Sequence, residues 1–263
     1  MRKSGMLLFS ALFATLLCGC SIVAPKPPPQ NTVTQVSTID ALLTGVYDGS
    51  ITLRQLEAFG NTGIGTFDAL DGEMVMFEGR IYQVKADGKV YRPALEEKTP
   101  FAAVVEFKAD GVVAVNQPCS FKDFEKLIDA EFPDMNMMSA IVVKGSFDYV
   151  KTRSVPRQSK PYPPLTEVVK NQPEFELRNL DGYIVGFRLP AYVKGINVPG
   201  YHLHFICSEF RSGGHILDFI MRKGSVGVDI CDRFYMILPD GGTGFSDADL
   251  SKDRSQELMR AER

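Results

Sequence analysis

The chain contains three histidines, and all of them fall within fourteen residues, from position 202 to position 215. Imidazole is the side chain best suited to hold Zn²⁺, Cu²⁺, Ni²⁺ or Fe²⁺ at neutral pH. Bringing all of these rings to one ion restricts the fold locally. His202-Leu203-His204 sits in a strand-like run, and side chains alternate faces along a strand, so His202 and His204 point the same way. Arg211-Ser-Gly-Gly214 is turn material, so the chain can double back. His215 then begins the partner strand and meets the pair from across the ladder. Cys207 falls on the opposite face and is not a ligand on this pattern. Nitrogens from three side chains leave coordination positions open, as in a catalytic rather than a closed structural site. A lone histidine would read as an ordinary polar residue on a half-exposed sheet; the concentration of the whole supply in one segment favours a metal site.

The leader fixes where such a site would be. Met1 to Gly19 carries Arg2 and Lys3 and then an apolar run from Met6 to Leu17, a secretion signal too short for a stable membrane span. It ends in Leu17-Cys18-Gly19-Cys20, which resembles the bacterial lipobox and implies cleavage before Cys20 and lipid attachment to its sulfur. The rival is an ordinary signal peptide with a chance cysteine. The small residue before Cys20 and the polar, proline-rich Ser21–Thr34 after it favour an exported protein, lipid-anchored at the periplasmic or extracellular face of the cell envelope. Removing residues 1–19 takes Lys+Arg from 29 to 27 against 32 Asp+Glu, a mature net charge of −5. No basic field remains to attract nucleic acid or anionic lipid, so the only membrane contact expected is the anchor at Cys20.

Four units are expected: signal 1–19, tether 20–36, an N-terminal α+β half 37–158 and a C-terminal metal-binding β-rich half 159–263. Residues 39–48 and 52–59 have helical spacing, and the Gly-rich Gly60–Gly65 ends that region. Met74–Phe77, Ile81–Val84 and Phe101–Phe107 are strand-like, with turns at Glu78-Gly79 and Asp87-Gly88. Ser120 caps an amphipathic helix stopped by Pro133. Ala140–Lys151 returns to strand, with Phe147, Tyr149, Lys151 and Arg153 on one face. Pro161-Tyr-Pro-Pro164 separates the halves, and a short helix follows at 164–171. Strands at 183–187, 202–206, 215–221 and 226–231 complete the chain. Strands dominate and the few helices are not interleaved, so the class is α+β with mixed or antiparallel sheets. Cys119, Cys207 and Cys231 fit no zinc spacing and read as buried small hydrophobes.

Several longer stretches then bear together. Gly63-Ile-Gly-Thr-Phe67, Leu70-Asp-Gly-Glu-Met74, Tyr149-Val-Lys-Thr-Arg-Ser-Val-Pro156, Lys160-Pro-Tyr-Pro-Pro-Leu165, Asn197-Val-Pro-Gly-Tyr-His-Leu-His-Phe205 and Gly213-Gly-His215 closely resemble bacterial acetolactate decarboxylase. The likeness runs from about residue 50 to the C-terminus. It implies a two-part α+β fold, a homodimer, and zinc held by His202, His204 and His215. It further implies Glu73 at the metal, Arg153 facing the substrate, and a second glutamate from the tail, where Glu262 is the candidate and Glu257 the rival. Thr66 is a further candidate for lining the site.

The implied reaction converts 2-acetolactate to acetoin and CO₂. Losing CO₂ leaves electrons that form an enediolate, whose oxygens can chelate a redox-inert Lewis acid such as Zn²⁺. Arg153 offers a planar fork that matches the substrate carboxylate. Glu73 or Glu262 delivers a proton to carbon, which asks for a carboxyl raised toward neutrality. No thiamine or pyridoxal sink is needed. The chemistry serves a cytoplasmic pathway in many bacteria, so an export signal is a departure. Two rivals stand beside this reading: a surface lipoprotein that binds metal without catalysis, and a cupin-like metal oxygenase, since cupin barrels also begin a metal site with His-x-His.

Overall fold

The computed structural model describes residues 28–262. The leader 1–19, the Cys20 lipidation site and the spacer as far as residue 27 lie outside the described residues. In chain order the first elements are β1 Thr32–Val36, α1 Ile39–Leu43, β2 Ile51–Thr52, α2 Leu53–Glu57, β3 Thr62–Thr66, β4 Glu73–Phe77, β5 Arg80–Val84, β6 Val90–Tyr91, β7 Lys98–Thr99 and β8 Ala102–Val105. There follow β9 Gly111–Val115, β10 Cys119–Ser120, α3 Phe121–Glu131, β11 Met138–Arg153, α4 Leu165–Val168, β12 Glu174–Leu189, β13 Gly200–Cys207, β14 Gly213–Cys231, β15 Arg233–Ile237 and α5 Ser255–Glu262.

Two sheets carry the fold. The first has seven strands in the order β15-β1-β8-β3-β4-β5-β6. In the second, β11 pairs with β12, β12 with β13, β13 with β14, and β14 with β11, so four strands close into a ring. Alternation sorts their side chains. Leu203 and Phe205 on β13, Phe147 and Val150 on β11 and Phe219 on β14 enter one apolar cluster, joined by Phe124 and Ile128 of α3. Ala140, Val185, Phe187 and Ile206 enter another, shared with Val33, Ile64, Val75 and Ala103 of the first sheet. That second cluster is the layer between the sheets, and the histidine face of β13 looks into it. Short helices around largely antiparallel sheets give the α+β class expected.

Several expectations change. The tether was expected to run to residue 36, yet Thr32–Val36 is a buried strand, parallel to β15 and antiparallel to β8. Its alternating Thr and Val suit a strand once two neighbours pair with it. Gly60–Gly65 was expected to close a helical region, but Thr62–Thr66 is a buried strand inside the first sheet. There a Cβ on Gly63 would meet the Ala103 carbonyl, and one on Gly65 the Phe101 carbonyl, so the glycines permit close backbone approach. The boundary at residues 158 and 159 does not separate two units. The ring takes β11 from before it and β12 to β14 from after it, while β15 completes the first sheet. The strands expected at 215–221 and 226–231 are one strand, β14, whose ladder with β11 shifts register at Ser146/Phe147, Phe147/Tyr149 and Lys151/Thr152. The shift at Phe147/Tyr149 puts Phe147 in the cluster of Val150 rather than on the face of Tyr149. The Ser120 cap and the helix after it are as expected, with Ser120 Oγ accepting from Asp123 N at 3.2 Å.

Arg188 ties α3 to the ring. It is 2% exposed, and its Nη1 donates to the Phe132 carbonyl at 2.8 Å and to Asp129 at 3.1 Å, while Nη2 donates to Ser139 Oγ at 3.2 Å. Arg188→Met keeps the apolar stem but leaves the Phe132 carbonyl unsatisfied. It should lower the unfolding free energy by about 2–4 kcal/mol in urea titration, and an unchanged midpoint would contradict this role.

Asp229 works against the fold near neutrality. Its side chain is buried, Oδ2 accepts from Lys108 N at 2.9 Å, and Oδ1 has no partner. Burial pushes its carboxyl up to about 6 from 3.8. The folded state therefore holds the proton more tightly than the unfolded chain. The resulting stabilisation is complete below the unfolded value and is lost as pH rises through about 6. Asp229→Asn should raise the melting temperature at pH 7.5, with the advantage shrinking near pH 4; an advantage independent of pH would count against this assignment.

Candidate metal centre

His202 and His204 stand on one face of β13, and His204 is directly opposite His215 on β14. His215 is in turn opposite Arg153 at the end of β11. Three adjacent strands therefore place His204, His215 and Arg153 in one row. The chain reverses between Cys207 and Gly213, and Gly214 takes φ +133° where a Cβ would strike the Arg153 carbonyl. Only glycine lets β14 start this close to β11. Thr152 Oγ1 donates to the Gly213 carbonyl at 2.9 Å and secures the same junction. Cys207 lies off the histidine face, as expected, and its sulfur accepts from Arg211 N and Ser212 N in the turn.

The first sheet closes the other side. Met74 on β4 presents its carbonyl to His204 Nδ1 at 2.8 Å. A carbonyl only accepts, so His204 carries its proton on Nδ1 and keeps a lone pair on Nε2. That Nε2 and His202 Nδ1 are buried without partners. The three imidazoles offer ligand atoms within 4.8 Å of one another. Burial drives each ring toward neutrality: His202 is pushed down to about 3, with Arg153 adding to the effect. His204 and His215 are also held well below the ordinary value by burial, with repulsion from His202 next for His204 and from Arg153 next for His215. Three neutral, buried rings with ligand atoms this close, one of them holding the unpartnered His204 Nε2, are what a borderline divalent ion requires, so these residues fit a metal.

Two carboxyl groups flank the rings. Glu73, at the start of β4, sits 3.6 Å from His204 Nε2 and 3.6 Å from Arg153 Nη1. Glu262 sits 3.6 Å from His202 Nε2, 3.7 Å from His215 Nδ1 and 3.4 Å from Arg153 Nη2. Burial pushes Glu73 up to about 7, against the pull of Arg153 and with help from Glu262. Glu262 is raised too, by burial opposed by Arg153.

Glu262 arrives on α5, a helix the sequence reading did not anticipate. Leu258 and Ala261 pack against Ile39, Leu42 and Leu43 of α1 and Leu165 and Val168 of α4. Residues 258, 261 and 262 share a helical face, so docking the apolar pair delivers the carboxyl. The 258/261 spacing was the available signal. Its rival Glu257 is 40% exposed in its side chain and faces Arg254 instead. Thr66 also reaches the site: its Oγ1 donates to the Gly72 carbonyl at 2.7 Å while the residue lines a cavity of about 30 Å³. Apolar walls come from Leu70, Phe101, Val155 and Leu165, none of them singled out from sequence. Seven of the eight candidate residues named from sequence line this one cavity, and the rival Glu257 does not.

Comparison with known proteins identifies the family. A family model described as alpha-acetolactate decarboxylase matches residues 33–252. The alpha-acetolactate decarboxylase of Methylococcus capsulatus is 46% identical over 238 residues, covering 90% of this chain and 91% of its own. That of Methanosarcina mazei is 47% identical over 229 residues, covering 87% and 79%. The crystal structure of alpha-acetolactate decarboxylase from Bacillus subtilis strain 168 superposes with a TM-score of 0.86 at 38% identity, covering 88% of this chain and 99% of that one. The chain belongs to the alpha-acetolactate decarboxylase family.

Proposed function

We propose that this chain converts 2-acetolactate to acetoin and CO₂ with Zn²⁺ held by His202, His204 and His215. The observation that carries this reading is the buried trio of neutral imidazoles beside one guanidinium and two carboxyls. When bound, the ion supplies a Lewis acid for the negative charge that develops on the substrate oxygens.

The chain's own residues divide the remaining work. Arg153 orients the substrate carboxylate through charge-assisted hydrogen bonds. It must not bind that group so tightly as to oppose its departure. The bond between the carboxylate and the hydroxyl-bearing carbon breaks, and its electron pair passes into the adjacent ketone. A proton from Glu73 or Glu262 then reaches that same carbon. Burial raises both carboxyls, Glu73 to about 7, which is the direction such a donor requires. Thr66 and the apolar wall exclude water around the reacting carbon. A metal-binding protein without catalysis has no use for Arg153 between two acids, and a cupin-like oxygenase would demand iron and oxygen.

Racemic acetolactate assayed with and without chelator tests the proposal. Acetoin formation should be abolished by chelator and restored by Zn²⁺. Arg153→Ala should keep the metal and lose turnover by about a hundredfold or more, whereas His204→Ala should lose both. Stoichiometric metal without acetoin would overturn the catalytic reading.

We also propose export with lipid attachment at Cys20, and a homodimer. The first is supported by residues 1–20 of the sequence and the second by the family resemblance. Mass spectrometry of the protein from membranes should show a lipidated N-terminal Cys20, and light scattering twice the chain mass; an unmodified cleaved chain or a monomer would refute the respective proposal.

A further inference from the structure

Arg153 is held by more than the two acids. Its Nη1 donates to Gln172 Oε1 at 3.0 Å, and its Nη2 donates to the Ala261 carbonyl at 2.8 Å. Register explains the first contact. Arg153 lies opposite Glu174 of β12, and a residue two positions earlier on that chain shares its face, so Gln172 reaches Arg153 on the diagonal. The loop that carries Gln172 is itself fixed. Gln172 N donates to the Val169 carbonyl at 3.3 Å, and Ser154 N donates to the Pro173 carbonyl at 3.2 Å. Pro173 disfavours a helical conformation for the residue before it, and Gln172 is extended at φ −66°, ψ 138°. The segment is therefore bonded to Arg153 by side chain and to Ser154 by backbone.

We propose that Gln172 is a positioning residue for Arg153, setting the plane of the guanidinium that meets the substrate carboxylate; this rests on the function proposed above. The choice of an amide follows from charge. Glu73 and Glu262 already stand 3.6 and 3.4 Å from the guanidinium. A third acid would compete with the substrate for the same donors. An amide oxygen accepts the hydrogen bond and leaves the positive charge uncancelled.

Wild-type turnover of acetolactate decides the function reading on its own. The role of Gln172 is read separately, by calorimetric binding of 2-hydroxyisobutyrate, a hydroxy acid with no ketone, to zinc-loaded wild-type, Gln172→Ala and Gln172→Glu protein. Gln172→Ala should keep metal content and melting temperature yet weaken probe binding and kcat/KM by about tenfold, the loss of one hydrogen bond to a charged group. Gln172→Glu should keep the contact but weaken the probe further, and raise KM more than it lowers kcat. The proposal is overturned if both variants stay within about twofold of wild type in probe affinity, or if every loss is matched by loss of metal or of melting temperature.

Discussion

Arg153 is a buried cation at 3% exposure, and the carboxyl groups nearest it come from distant parts of the chain. An uncompensated buried charge costs several kcal/mol, and Glu73 and Glu262 together supply the carboxylate that compensates it and the carboxyl that can hold a proton. Glu73 belongs to the first sheet and Glu262 to the last helix. The arginine itself ends β11 in the second sheet. Neutralising one guanidinium thus brings three separate parts of the molecule to one point, and the imidazoles stand at that point.

The closed ring of β11 to β14 makes the arrangement stiff. A row across three adjacent strands leaves His204, His215 and Arg153 little freedom to move apart. The Met74 carbonyl then sets the His204 tautomer from the opposing sheet. Sheet packing, tautomer and charge balance are one structure seen at three scales. The same compactness accounts for how burial shifts Glu73, Glu262 and the three imidazoles.

Much of the site was legible in residue types and spacing. His-x-His on a strand and a glycine turn before His215 required no tertiary knowledge, because strand alternation alone puts the first pair on one face. The helix from Ser120 was legible for the same local reason. The acids and Arg153 were reachable only through family resemblance, since their partners are remote in sequence. Three features were hidden. Thr32–Val36 follows a proline-rich run, and its strand state depends on two neighbours far along the chain. Thr62–Thr66 looked like a loop because its glycines serve close packing rather than a turn. Gln172 lay in an unremarkable loop, and only the β11–β12 register reveals what it touches.

The central claim is that one ion joins the three rings. X-ray absorption at the metal edge, combined with anomalous diffraction from zinc-loaded crystals, tests it most directly. The expected result is a single site among His202, His204 and His215, with nitrogen donors at about 2.0–2.1 Å. An ion bound elsewhere, with these rings turned to protein hydrogen-bond partners, would contradict it.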